Sequence, residues 1–188
     1  MALGVATLVL ALGVMRGFES VVTDKIIGFD THIRIEKLFE SGFDLDEEEI
    51  AEISEIPGVN QIFRIKKAEV MLKANGITEG ALLEVMPASA LSQLYSVSSN
   101  YTGGESNQTG LIIGAALADQ LEVGISDQIL AYDLGSFTDQ MGLPSIAVSQ
   151  VQAIYESGMI DYDKSYLYCS PQTMDELFPD SPNTDDFG

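Results

Sequence analysis

Few side chains in this sequence combine a reactive type with a spacing that supports chemistry. The one histidine, His32, falls on the polar side of an alternating stretch, and the one cysteine, Cys169, sits in the apolar run Tyr166-Leu167-Tyr168-Cys169. One of each cannot assemble the several Cys and His ligands of a zinc site, and a single Cys forms no internal disulfide. A Ser–His–Asp or Cys–His centre would have to use His32, yet the chain has no Gly-x-Ser-x-Gly nucleophile elbow. It also lacks a Gly-x-x-x-x-Gly-Lys-Ser/Thr phosphate loop and a Gly-x-Gly-x-x-Gly turn after a strand. Carboxylates are plentiful enough for a glycosidase-like pair, but no pattern singles out two of them. The acidic run Asp46-Glu47-Glu48-Glu49 suggests a calcium loop until the twelve-residue register is tried, which requires glycine where Glu49 stands. These observations point away from an enzyme, and no cofactor or metal is expected.

What the chain offers instead is surface and shape. It has 188 residues, 46% of them apolar, with 29 acidic against 9 basic and a formal net charge of −20. Such a balance describes a folded domain whose surface repels phosphate backbones and anionic head groups, so nucleic acid is excluded as a partner. No Lys or Arg occurs between Lys73 and Lys164.

Residues 2–15 are apolar apart from Thr7 and end at Arg16. As a helix they span roughly 21 Å, short of the roughly 30 Å hydrocarbon core of a membrane. The stretch lacks the basic start and small-x-small cleavage site of a signal peptide. It reads as the outer end of a membrane helix that begins upstream. The helical period then turns amphipathic: Phe18, Val22 and Ile26 share a face with Val21, and Arg16, Glu19 and Thr23 lie opposite, making a stalk that Gly28 can end.

Beyond it, residues 31–37 alternate as a half-buried strand with Ile33 and Ile35 on one side. Residues 43–56 form a helix opened by an Asp46–Glu49 capping box with a Leu45–Ile50 staple, and Pro57-Gly58 stops it. A strand over 59–74, bent near Lys66-Lys67, turns at Asn75-Gly76 into another over 81–86. Residues 91–109, rich in Ser, Asn, Tyr and Gly, read as a long surface loop. A short strand, 111–113, precedes a helix carrying Leu117 and Leu121. Strands 128–133 and 145–155 flank an excursion over 134–144, a strand spans 165–169, and Pro171 opens a last helix through Phe178. The mixture without a βαβ repeat predicts an α+β fold. Three regions follow: membrane helix end and stalk (1–28), a core domain of two subdomains (29–178) and an acidic tail or linker (179–188).

Several segments together resemble the periplasmic domain of the LolC/LolE permeases, within the MacB-like periplasmic core domain and FtsX-like permease class. The stalk Gly13-Val-Met-Arg-Gly-Phe-Glu-Ser with Ile26-Ile-Gly is similar to the family's membrane-helix exit. GAALADQLEVGISDQI, residues 114–129, is similar to the family's G-x-x-LA-x-x-L-x-V-x-x-GD-x-I, with Ser126-Asp127 in place of Gly-Asp. IYESGMIDYDKSYLY, residues 154–168, matches a Phe-x-Ser/Thr-Gly segment followed by an acidic-aromatic turn and a strand.

The resemblance implies a bacterial inner-membrane permease whose periplasmic domain helps release lipoprotein cargo and pass it to a periplasmic carrier. ATP hydrolysis in a separate subunit would drive this, and a second permease subunit, identical or sister, would pair with the chain. The excursion looks like the family's carrier hook, which implies roles in partner binding for Phe137, Thr138, Met141, Gly142, Leu143 and Pro144. Three of these are apolar side chains on a segment expected to face water. The hook is lined by no basic residue, although the family's often is. Arg16, Phe18, Val22 and Ile26 would couple the stalk to the domain. A MacB-like exporter, an FtsX-like regulator or a membrane-anchored binding module are the alternatives.

Overall fold

The computed structural model describes residues 2–29, 33–35, 45–98, 100–104, 109–135, 145–179 and 184–187. The chain divides into two compact units, Met1–His32 and Ile33–Gly188. The first holds one helix, α1 (Ala2–Phe29), which runs through Gly28 to the next residue. Its apolar half presents Leu8, Leu10, Leu12 and Val14 to the surroundings, all exposed.

The second unit is α+β, as the mixed pattern predicts. In chain order it contains α2 (Glu47–Ser54), β1 (Arg64–Ala74), β2 (Ile77–Val85), α3 (Ala88–Val97), β3 (Asn100–Gly103), β4 (Leu111–Gly114) and α4 (Ala115–Leu121). It continues with β5 (Gln128–Asp133), β6 (Ser145–Glu156), α5 (Ile160–Ser165), β7 (Tyr166–Cys169), α6 (Pro171–Leu177) and β8 (Thr184–Phe187).

Local chemistry sets several of these boundaries. The Asp46 carboxylate accepts from the Glu49 amide at 2.8 Å while the Asp46 amide donates to the Glu49 carboxylate at 3.0 Å, the expected capping box. Asn75 and Gly76, with φ of 50° and 82°, make the two-residue turn that joins β1 to β2. Ser170 caps α6, and Pro171 occupies its first turn where a missing amide is harmless. Ser126, in the place the resembled family gives to glycine, adopts φ 71°, and its amide bonds the Val151 carbonyl at 2.8 Å.

The strands form one sheet that closes on itself. Around the ring β1 pairs with β2, β2 with β7, β7 with β4, β4 with β6, β6 with β5, and β5 again with β1. β3 and β8 add to it on β6 and β1. Closure joins what would otherwise be the two ends of the sheet. Inside, alternate residues Val70, Leu72 and Ala74 of β1 meet Leu111, Ile113, Ile129, Val151, Leu167 and Cys169, with Leu117 and Leu121 of α4 and Phe178 among them.

Several expectations are corrected. β1 starts at Arg64 and passes through Lys66-Lys67 without interruption, because both residues are held in the ladder with β2. Residues 91–109 are not simply a surface loop: α3 buries Ala90, Leu91 and Leu94, and β3 pairs with β6. Ile33 is 72% exposed rather than on a buried strand face. The acidic stretch 179–188 contributes β8 to the sheet, and α5 is a helix that no periodicity signalled.

One glycine is required by space alone. At the β4–α4 junction a Cβ on Gly114 would lie 2.1 Å from the Asp163 carbonyl oxygen and 2.6 Å from that residue's Cα. The backbone of α5 must therefore sit against a residue with no side chain. Gly114→Ala is expected to destabilise the domain by about 3 kcal/mol in urea denaturation; a loss below about 1 kcal/mol would show that α5 yields freely.

Candidate functional site

The excursion predicted between two strands leaves the barrel from a defined root. β5 and β6 pair antiparallel from Gln128↔Gln150 to Asp133↔Ser145, so the chain departs and returns at adjacent positions. The Leu134 amide donates to the Glu69 carbonyl of β1 at 3.0 Å, and the Gly135 amide donates to the Asp133 carboxylate at 2.9 Å. Phe137, Thr138, Met141, Gly142, Leu143 and Pro144 lie outside the described residues. Arg16, Phe18, Val22 and Ile26 all fall on the helical backbone of α1, with Arg16 exposed. His32 lies outside the described residues.

Next to the root, the outward face of the hairpin is apolar. The register sets Leu130 across from Val148 and Tyr132 across from Ile146, and Tyr132 is also across from Met71 of β1. Ile146 and Val148 are 58% and 57% exposed. Farther from the root the same face becomes polar at Gln128 and Gln150. The sequence carries this signal in QILAYD and SIAVSQ, where both faces of each strand hold apolar residues although only one can line the core. The part of the surface beside the excursion is therefore suited to a partner that buries nonpolar area.

A second feature is electrostatic. Glu84 of β2, 2% exposed, bonds the Arg34 guanidinium at 3.3 Å. A carboxylate within Leu82-Leu83-Glu84-Val85-Met86 is the signal for this pair, because a buried anion requires a cation. Glu84 stands across from Tyr168 in the ladder. Burial first, and then Tyr155, Tyr162 and Glu84, hold the Tyr168 hydroxyl well above its usual pKa. Burial likewise raises Tyr155, helped by Tyr162 and Asp163, and its hydroxyl donates to the Tyr166 carbonyl at 3.0 Å. The hydroxyls of Tyr162 and Tyr168 share a hydrogen bond, and the Tyr162 and Tyr166 rings stack at 4.4 Å. Asp163, in the acidic-aromatic turn, accepts from the Ser157 amide at 3.0 Å.

Such hydroxyls stay protonated near neutrality and act as hydrogen-bonding core groups rather than as bases. Cys169, with its thiol pushed up to about 12 chiefly by burial, is equally inert at neutral pH. No group of His, Cys, Asp and Glu among the described residues is arranged to hold a metal ion. Arg34→Met leaves the Glu84 carboxylate buried and short of its cation, and is expected to lower stability by about 2–3 kcal/mol. The double variant Arg34→Met, Glu84→Met is expected to recover most of that loss in thermal denaturation. Equal losses in the two variants would contradict the ion pair's role.

No protein-family model matches the chain. Among solved structures it is similar to the extracellular domain of the noncanonic ABC-type transporter YknZ from Gram-positive bacteria, at 11% identity and a TM-score of 0.44, over 76% of this chain and 71% of that one. It is similar to the periplasmic region of MacB from Actinobacillus actinomycetemcomitans at 10% identity and a TM-score of 0.47, over 83% of this chain and 65% of that one. A domain described as part of a permease protein from Porphyromonas gingivalis aligns at 12% identity and a TM-score of 0.40, over 73% of this chain and 58% of the other.

Proposed function

We propose that this chain is the extracytoplasmic domain, with the outer end of one membrane helix, of a bacterial ABC-transporter permease that releases lipoproteins and passes them to a periplasmic carrier. The observation that carries the reading is the excursion over residues 134–144. It leaves a closed barrel from a hydrogen-bonded root, beside an apolar outward face, and its sequence holds Phe137, Met141 and Leu143. The resemblance of residues 13–20, 114–129 and 154–168 to the LolC/LolE permeases supports it from the sequence side. The exposed apolar residues of α1 support a membrane setting, because such a surface is stable only when lipid or other helices cover it. Among the described residues no helix is long and apolar enough to cross a membrane. In this reading α1 supplies only the outer end of a span.

The mechanism is mechanical. A separate cytoplasmic subunit hydrolyses ATP, and a second permease subunit completes the membrane part. Movement passes along the stalk that holds Arg16, Phe18, Val22 and Ile26 to reposition the barrel and its hook. Lipoprotein cargo is lifted from the membrane and handed to the carrier docked at Phe137, Thr138, Met141, Gly142, Leu143 and Pro144.

A second reading is favoured by one observation, that no Lys or Arg stands between Lys73 and Lys164 and the excursion therefore lacks a basic residue. That composition suits a permease of the same class with different cargo, such as a MacB-like exporter or an FtsX-like regulator. In the full permease, Phe137→Ala with Met141→Ala is expected to weaken carrier binding at least tenfold, the loss of two buried anchors, with the fold intact by circular dichroism. Val22→Pro, which breaks the stalk, is expected to leave carrier binding unchanged and to uncouple ATP hydrolysis from release. Carrier binding unaffected by the double variant, or absent from the parent, would transfer the assignment to the second reading.

A further inference from the structure

The turn between β1 and β2 meets the end of α4 through a side chain with chemistry of its own. The Asn75 Nδ2 donates to the Leu121 carbonyl at 3.1 Å and to the Glu122 carbonyl at 2.8 Å, which uses both of its donors. α4 closes on Glu122 in the left-handed region, φ 54°, where the Glu122 amide bonds the Asp119 carbonyl and the Val123 amide bonds the Ala118 carbonyl. The last carbonyls of a helix have no partner within it, and here Asn75 caps two of them from another element. Leu117 and Leu121 of α4 lie in the barrel core, so the cap holds a core element in place.

Of Asn60, Asn75, Asn100, Asn107 and Asn183, only Asn75 precedes a glycine. Without a Cβ, Gly76 leaves its backbone nitrogen open to the preceding side chain. Both residues are exposed, and a Cβ at Gly76 would meet nothing within 4 Å. An asparagine in this setting loses its amide without a catalyst. The Gly76 nitrogen attacks the Asn75 Cγ, a C–N bond closes a succinimide, and the Cγ–Nδ2 bond breaks. Nδ2 leaves as ammonia, carrying the proton that the Gly76 nitrogen gave up. Water then opens the ring at either carbonyl to give aspartate or isoaspartate. One water is consumed for each ammonia released, and nothing is oxidised or reduced.

We propose that Asn75 is a self-modification site whose conversion to an acid releases the end of α4 from the β1–β2 turn. A carboxylate donates to neither carbonyl. It instead sets a negative charge against two carbonyl oxygens at the negative end of a helix. Isoaspartate also adds a methylene to the backbone of a tight turn. The conversion runs one way, so the capped form is lost progressively after synthesis, whatever the excursion binds.

The full chain, held at physiological temperature in mildly alkaline buffer, tests this by peptide mass spectrometry and amide hydrogen exchange. Asn75 is expected to gain the mass of an amide-to-acid conversion about tenfold faster than Asn60, Asn100, Asn107 or Asn183, with ammonia released in equal amount. Asn75→Gln, which needs a larger ring to react, is expected to stay unmodified at that position. Asn75→Asp, the product made directly, is expected to speed exchange of the Glu122 and Val123 amides about fivefold, and the aged parent to do the same, with the amides of β5 unchanged. Conversion at Asn75 no faster than at the other four would overturn the modification site. Exchange at Glu122 and Val123 that stays the same in both the Asp variant and the aged parent would overturn the release of α4.

Discussion

Pairing of β1 along both edges is the constraint on which the rest of the barrel depends, because β2 on one side and β5 on the other join the two ends of what would otherwise be an open sheet. Its inward residues Val70, Leu72 and Ala74 then face a core supplied from every other ring strand. Its Glu69 carbonyl ties down the start of the excursion. A single strand thus fixes the core, the place where the excursion leaves and the seat of the C-terminal strand. The start of the excursion is consequently tied to an element whose two edges close the ring.

The outside of the barrel is built unevenly. Around β2, β7 and β4 the outward positions are buried: Glu84, Tyr168 and Ile112 have almost no exposure, and Arg34 supplies the charge that Glu84 requires. Around β5 and the first half of β6 the outward positions are Leu130, Tyr132, Ile146 and Val148, and three of these are exposed. On the buried side, hydroxyls of Tyr155, Tyr162 and Tyr168 and carboxylates of Glu84 and Asp163 take part in structural hydrogen bonds. The open side offers apolar area beside the start of the excursion.

Much of this order was legible in the residues. The Asp46–Glu49 capping box, the Asn75-Gly76 turn, the Leu117–Leu121 helix face and the strands flanking the excursion each follow from local rules, and each is found. Ring closure was not legible, because alternation fixes which residues face inward but not which strands become neighbours. α3 was hidden by its own composition: Ser92, Gln93 and Ser96 read as a loop, whereas tertiary burial of Ala90, Leu91 and Leu94 makes the helix stable. The Arg34–Glu84 pair spans fifty positions, and only the odd carboxylate in an apolar strand announced it. β8 was missed because strand addition needs a receptive edge rather than a pattern in the added segment.

The proposed function requires that the segment 134–144 lie on the periplasmic side of the inner membrane. Cysteine labelling of the full-length protein in cells tests this, with one cysteine placed by Gly142→Cys and the buried Cys169 left in place as an unreactive internal control. With the outer membrane made permeable and the inner membrane intact, a membrane-impermeant maleimide is expected to label position 142. Labelling that appears only after the inner membrane is disrupted would put the domain on the cytoplasmic side and overturn the proposed function.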